Sequence, residues 1–111
     1  MRVVAVGECT IDRYPARSAE RVGGISLNFA VHARVAGAES VMLVSCTGDD
    51  RAATSVRHRL ATAGVDASRV HEREGATASQ RIELMDAGER VFPPGGYDPG
   101  VLAEFRLDEA D

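Results

Sequence analysis

An α/β fold built on parallel strands is predicted from three features of this sequence. Two short apolar runs, 3–6 and 41–44, have the length and β-branched content of buried strands. Each is followed by a segment in which apolar residues recur at helical spacing. The resulting order of strand, helix, strand, helix favours parallel pairing with right-handed crossovers. A third stretch, 77–92, repeats with period two and predicts a small antiparallel sheet attached to that body.

The elements follow in order. Residues 3–6 (Val-Val-Ala-Val) form the first strand, closed by Gly7. Residues 8–24, with Pro15 and the Gly23-Gly24 pair, suit short strands and turns. From Ser26, a plausible N-cap, Leu27, Ala30, Val31, Arg34 and Val35 trace a helix, with Gly37 at its C′ position. Residues 41–44 form the second buried strand. Gly48-Asp49-Asp50 then opens a second helix, capped by Asp49 or Asp50, with Ala53, Val56 and Leu60 on one face and Gly64 at its end. In 77–92, Ser79, Arg81 and Glu83 point one way and Gln80, Ile82 and Leu84 the other. Asp86-Ala87-Gly88 makes the loop and 89–92 the return strand. At 107–111 the acids, with Asp108 as N-cap, read as a helix start. A chain that stops there reads as cut, or, as the simpler alternative, as ending in a frayed acidic tail.

Composition narrows the function. The 111 residues are 44% hydrophobic and 27% charged, which is ordinary globular material with enough length for one core. Thirteen basic residues, all arginine, face 17 acids, for a net charge of −4. That balance argues against nucleic acid as a partner. No apolar run reaches bilayer length and the N-terminus lacks a signal-peptide pattern, so a cytoplasmic location is expected. In that setting Cys9 and Cys46 are expected to be buried free thiols rather than a disulfide.

The common catalytic kits are missing. His32, His58 and His71 lie at no metal-ligand spacing, and the first two fall in helices as surface or packing residues. With no lysine, a glycine-rich loop of the G-x-x-x-x-G-K-[ST] type is impossible. No G-x-G-x-x-G turn follows the first strand, which sets aside a dinucleotide-binding domain. Gly48-Asp49-Asp50 is more simply a helix cap than a metal site. Gly23-Gly24 is different, because it precedes a helix whose first turn carries Asn28. Bare backbone there allows close approach of a ligand to N–H groups. Asn28 adds a donor and an acceptor, and Asp12 adds a carboxylate able to accept two hydroxyl hydrogens. Together these suit a polyhydroxy ligand such as a sugar. A turn followed by a capped helix explains the spacing equally well.

Several of these segments, in the same order, resemble a known family. Gly7-Glu8, Ile11-Asp12, Gly23-Gly24-Ile25-Ser26-Leu27-Asn28-Phe29-Ala30, Gly37 and Gly48-Asp49-Asp50 are similar to the opening of ribokinase-like (PfkB) carbohydrate kinases. Leu60, Gly64-Val65-Asp66, Gly75-Ala76-Thr77-Ala78 and Gly88-Glu89-Arg90-Val91-Phe92 extend the likeness over nearly the whole chain. Within the family, Ile11-Asp12-Arg13-Tyr14-Pro15, Thr77-Ala78 and Arg90-Val91-Phe92 are most similar to fructoselysine (fructosamine) kinases. The resemblance implies one partial domain over 1–111: the N-terminal portion of a Rossmann-like ribokinase fold with a small β-sheet lid from about 8–22 and 77–92.

It also implies that Asp12, Gly23, Gly24 and Asn28 contact sugar hydroxyls and that Gln80 closes over the sugar. The ligand would be a small sugar or a glycated amino acid, and a homodimer could form through the lid. ATP and magnesium are implied as cofactors, but the family's G-A-G-D segment, which carries the catalytic aspartate and nucleotide pocket, has no counterpart in this chain. The sequence departs from the family at Ile25, where the fructoselysine group has Asn, and at Ser26 and Ala53. It also has one extra residue between Ala38 and Thr47. The chain therefore reads as the sugar-side part of an ATP-dependent kinase, inactive alone. A non-catalytic sugar-binding module and a non-functional truncated product stay open as alternatives.

Overall fold

In the computed structural model, which describes residues 1–108 and 111, three parallel strands carry the body of the molecule. These are β1 (Arg2–Val6), β4 (Ser40–Thr47) and β5 (Asp66–Glu72), in the order β1-β4-β5. Helices α1 (Ile25–Val35) and α2 (Arg51–Ala63) lie side by side on one face of that sheet. Leu27, Ala30 and Val31 of α1 and Val56 and Leu60 of α2 meet Ala5, Val41 and Leu43 in a single core. On the opposite face Val4 and Val6 remain 61% and 48% exposed. A parallel sheet is normally covered on both faces, so this side lacks a layer among the described residues.

A second sheet has the order β3-β2-β6-β9, formed by β2 (Thr10–Tyr14), β3 (Ala19–Gly23), β6 (Ser79–Arg81) and β9 (Tyr97–Asp98). β7 (Glu83–Leu84) and β8 (Arg90–Val91) form a separate two-stranded hairpin. The predicted segments 8–22 and 77–92 thus supply most of this layer, with three differences. The run from 79 to 84 is not one strand, because it breaks at Ile82. That side chain is buried and its N–H donates to the Arg13 carbonyl (2.8 Å), the last bond of the β2–β6 ladder, after which the chain pairs with β8 instead. Second, β9 comes from beyond residue 92. Third, β3 runs on to Gly23.

Other expectations need correction. Gly24, not Ser26, is the N-cap of α1, because only a residue free of Cβ sits easily at its φ of +102°. Ser26 instead turns its hydroxyl back to donate to the Val6 carbonyl (3.2 Å). β4 extends past Val44 through Ser45, Cys46 and Thr47, all fully buried because β4 is the central strand. β5 was not foreseen. As an edge strand it buries only Val70 completely, so its sequence shows no apolar run. Gly37 and Gly64 end their helices as expected, and Asp50 caps α2. The helix start predicted at 107–111 falls partly on Glu109 and Ala110, which lie outside the described residues.

Candidate functional site

The site is built where the second sheet meets the N-terminus of α1. Asp12 lies in the middle of β2, directly opposite Arg21 of β3 and Gln80 of β6, and Gln80 is opposite Tyr97 of β9. Cross-strand partners share a sheet face, so Arg21, Asp12, Gln80 and Tyr97 form one row. Thr10 and Gly23, two residues along, pair on the same face. The Thr10 hydroxyl donates to Asp12 Oδ1 (3.2 Å). The Asp12 carboxylate rests over the bare Gly23 backbone: a Cβ added at Gly23 would overlap Asp12 Oδ2 and come 2.9 Å from Cγ. Gly24 is equally confined, since a Cβ there would fall 2.8 Å from the Glu8 carbonyl oxygen.

Electrostatics single out Asp12. Burial pushes its carboxyl above the ordinary value, and the negative charge of Glu8 adds to this. The Thr10 hydrogen bond and the Arg90 guanidinium pull it back without cancelling the rise. An aspartate held half-buried beside a second carboxylate, with unfilled acceptor capacity, is suited to take hydroxyl hydrogens from a ligand.

Sequence reasoning missed Glu8 and Tyr97. Glu8 Oε1 accepts the Ile25 N–H at the start of α1 (3.3 Å), and its Oε2 accepts the Tyr97 hydroxyl (3.4 Å). One carboxylate therefore ties the helix N-terminus of the body to the last strand of the second sheet. Burial and that carboxylate together raise the Tyr97 phenol above its usual range. A signal for Glu8 existed, as an acid directly after the first strand; β9, two residues long, gave none for Tyr97.

Of the five predicted contact residues, Asp12, Gly23 and Gln80 share one sheet face, and Gly24 and Asn28 adjoin it at the first turn of α1. Asn28 is exposed to solvent. Gln80 is half-buried, and its Nε2 donates to the Arg81 carbonyl (2.9 Å). Cys9 and Cys46 are both buried and free. Gly48-Asp49-Asp50 is occupied with protein contacts: Asp50 accepts from the Ala53 and Thr77 N–H groups and from the Thr77 hydroxyl. His32 and His58 are exposed on their helices. His71 Nε2 lies 2.8 Å from Asp111 Oδ1, an imidazole–carboxylate pairing that a separation of 40 residues concealed.

Residues 1–104 match the pfkB family of carbohydrate kinases. The chain belongs to that family. It is 37% identical to fructoselysine 6-kinase of Escherichia coli (strain K12) over 109 residues, which are 98% of this chain and 40% of that protein. It is 30% identical to fructosamine kinase FrlD of Bacillus subtilis (strain 168) over 107 residues, 96% of this chain and 37% of that one. The pfkB chain thus spans about two fifths of the length of these relatives. Its fold matches ribokinase from Cryptococcus neoformans var. grubii serotype A, solved in complex with ADP, with a TM-score of 0.73 over 96% of this chain and 36% of that one, at 23% identity. The nucleoside kinase of Methanocaldococcus jannaschii matches with a TM-score of 0.73 at 19% identity, over 93% of this chain and 38% of that one.

Proposed function

We propose that this chain is the sugar-binding part of an ATP-dependent sugar kinase, with the second sheet acting as the lid and a fructoselysine-like sugar as ligand. The observation that carries this reading is the Asp12 carboxylate lying over Gly23, beside the α1 N-terminus. A carboxylate with free lone pairs, a backbone stripped of Cβ atoms and the side-chain amides of Asn28 and Gln80 match the alternating donors and acceptors of vicinal hydroxyls. In this reading Asp12 accepts from two hydroxyls, the bare backbone at Gly23 and Gly24 lets Asp12 and the Glu8 carbonyl seat closely beside the sugar, Asn28 bonds a ring substituent, and Gln80 closes from above. The 37% identity to fructoselysine 6-kinase supports the ligand class.

Ribokinase-family kinases use ATP and a divalent metal. In this reading none of the residues assigned to the sugar is assigned to the nucleotide, and the chain lacks the lysine of a G-x-x-x-x-G-K-[ST] loop. Phosphoryl transfer depends on a positioned base and on stabilisation of spreading phosphate charge, and in this reading neither role is assigned to a residue of the sugar site. This chain alone is therefore expected to bind sugar without phosphorylating it, from a cytoplasmic location. Exposed Met85, Val91 and Phe92 around the β7–β8 hairpin support a homodimer packed through the lid, which light scattering on an eluting peak tests.

The deciding experiment titrates the purified chain with fructoselysine and fructose by ligand-observed NMR, alongside an ATP-dependent phosphorylation assay. Binding that Asp12→Asn abolishes, without product formation, is the expected result. Turnover by the 111-residue chain refutes the inactivity. Absence of binding by a folded chain refutes the sugar site.

A further inference from the structure

The lid face that carries Asp12 continues outward into a second, strongly cationic cleft. Tyr14 stands two residues beyond Asp12 on β2, hence on the same face and about 7 Å away along the strand. Around it lies a cleft of about 280 Å³ lined by Arg17, Arg21 and Arg90 together with Tyr14. Arg21 is the direct cross-strand partner of Asp12. Arg90, on β8, is close enough to Asp12 to stabilise that carboxylate's charge. Arg17 ends the turn Pro15–Arg17, which is followed by Ser18 at φ +49°, the one non-glycine residue with positive φ among those described. Non-glycine residues in that region cost energy and persist where the surrounding structure needs the geometry.

None of the three guanidiniums makes a salt bridge or a side-chain hydrogen bond among the described residues. Arg13 and Arg81, on the other face of the same sheet, are paired with Glu20 and Glu83. Three like charges share one small cleft in a chain of net charge −4 that has acids to spare. A planar fork of N–H donors binds a carboxylate or a phosphate in two-point fashion, several forks around one pocket favour such an anion over any neutral hydroxyl, and a fructoselysine-like ligand carries a carboxylate.

Resting on the sugar site and the fructoselysine-like ligand proposed above, we infer that Arg17, Arg21 and Arg90 bind the carboxylate of the ligand's amino-acid part, so that the ligand is held at both ends. Asp12 and the Gly23-Gly24 backbone hold the sugar, and the aliphatic stem of the amino acid runs along β2 past Tyr14. The arginine cleft holds the far end. A neutral hexose fills the first site only, which makes the three arginines determinants of specificity.

The test compares three ligands by calorimetry at low ionic strength: fructoselysine, the same compound with its α-carboxyl converted to a carboxamide, and fructose. Fructoselysine should bind at least about tenfold more tightly than its carboxamide, the value of one charge-assisted two-point contact. In Arg21→Ala/Arg90→Ala the acid should fall to the affinity of the amide, whereas Arg59→Ala, on α2 and outside this cleft, should preserve the difference. Melting curves of each variant separate loss of binding from loss of fold, and the acid–amide comparison on the unaltered chain needs no variant at all. Equal affinity for acid and amide, with Asp12→Asn weakening both, overturns the arginine assignment and leaves the sugar site standing. No binding of any of the three by the folded chain overturns both.

Discussion

Replacing Asp50 by alanine should cost this small domain much of its stability. The carboxylate accepts the Ala53 N–H (3.1 Å) as the N-cap of α2, and also accepts the Thr77 N–H (2.8 Å) and the Thr77 hydroxyl (2.7 Å). Thr77 Oγ1 in turn accepts the buried Gly48 N–H (3.0 Å). Loss of an N-cap costs about 1 kcal/mol. Each bond from Thr77 to the charged carboxylate is worth about 1.5 kcal/mol at the low end suited to a half-exposed acceptor, and Thr77, only 4% exposed, has no ready access to replacement water. The sum is about 4 kcal/mol before relaxation and about 3 kcal/mol after it, or a fall in Tm on the order of 15 °C for a domain of this size. Asp49→Ala, which removes one exposed bond to the Gly75 N–H (3.1 Å), should cost less than about 1 kcal/mol. Circular-dichroism melts of the two variants and of Thr77→Val decide the matter. The reasoning fails if Asp50→Ala melts within a few degrees of Asp49→Ala. Acid adds a second readout. Burial raises the Asp50 carboxyl, but its bonds from Thr77 and Ala53 outweigh that and hold it below 3.8. A depressed acid stabilises the fold above its unfolded value and loses that contribution as pH falls through the folded one. Wild-type stability should therefore fall on acidification below about pH 4, and Asp50→Asn should lack that component.

Asp12 should behave in the opposite sense. Its raised carboxyl means the folded chain holds that proton more readily than the unfolded chain, so stability declines as pH rises through its titration. Asp12→Asn is expected to match or exceed wild type in a melt at pH 7 while losing sugar binding in the NMR titration; a marked drop in Tm would contradict this. Gly23→Ala should displace the Asp12 carboxylate and weaken sugar binding at least about tenfold, measured by the same titration. Gly24→Ala should destabilise by about 1–3 kcal/mol, because it adds both positive-φ strain and a Cβ against the Glu8 carbonyl; denaturant unfolding reads this directly. The Cys9 thiol, pushed up to about 11 chiefly by burial, should resist an aromatic disulfide reagent at pH 8, with both thiols reacting only after unfolding.

The family, the strand–helix order and the candidate residues of the proposed sugar site were legible in the sequence. They were so because those features are local. β1 and the first half of β4 are continuous apolar runs, Asp50 caps within three residues of its acceptor bond, and Gly23-Gly24 stands directly before the helix it serves. Whatever depends on pairing across the chain emerged with the folded arrangement. β5 buries a single residue completely and shows itself only by lying against β4, and β9 is two residues long. Glu8 meets Tyr97 across 89 residues and Asp50 meets Thr77 across 27, separations at which no spacing rule operates. The same holds for the arginine cleft. Arg17, Arg21 and Arg90 look like ordinary surface charges until sheet register puts Arg21 opposite Asp12 and the hairpin brings Arg90 alongside. Side-chain type is written in the sequence, but which charges are left without partners is settled only when the strands pair.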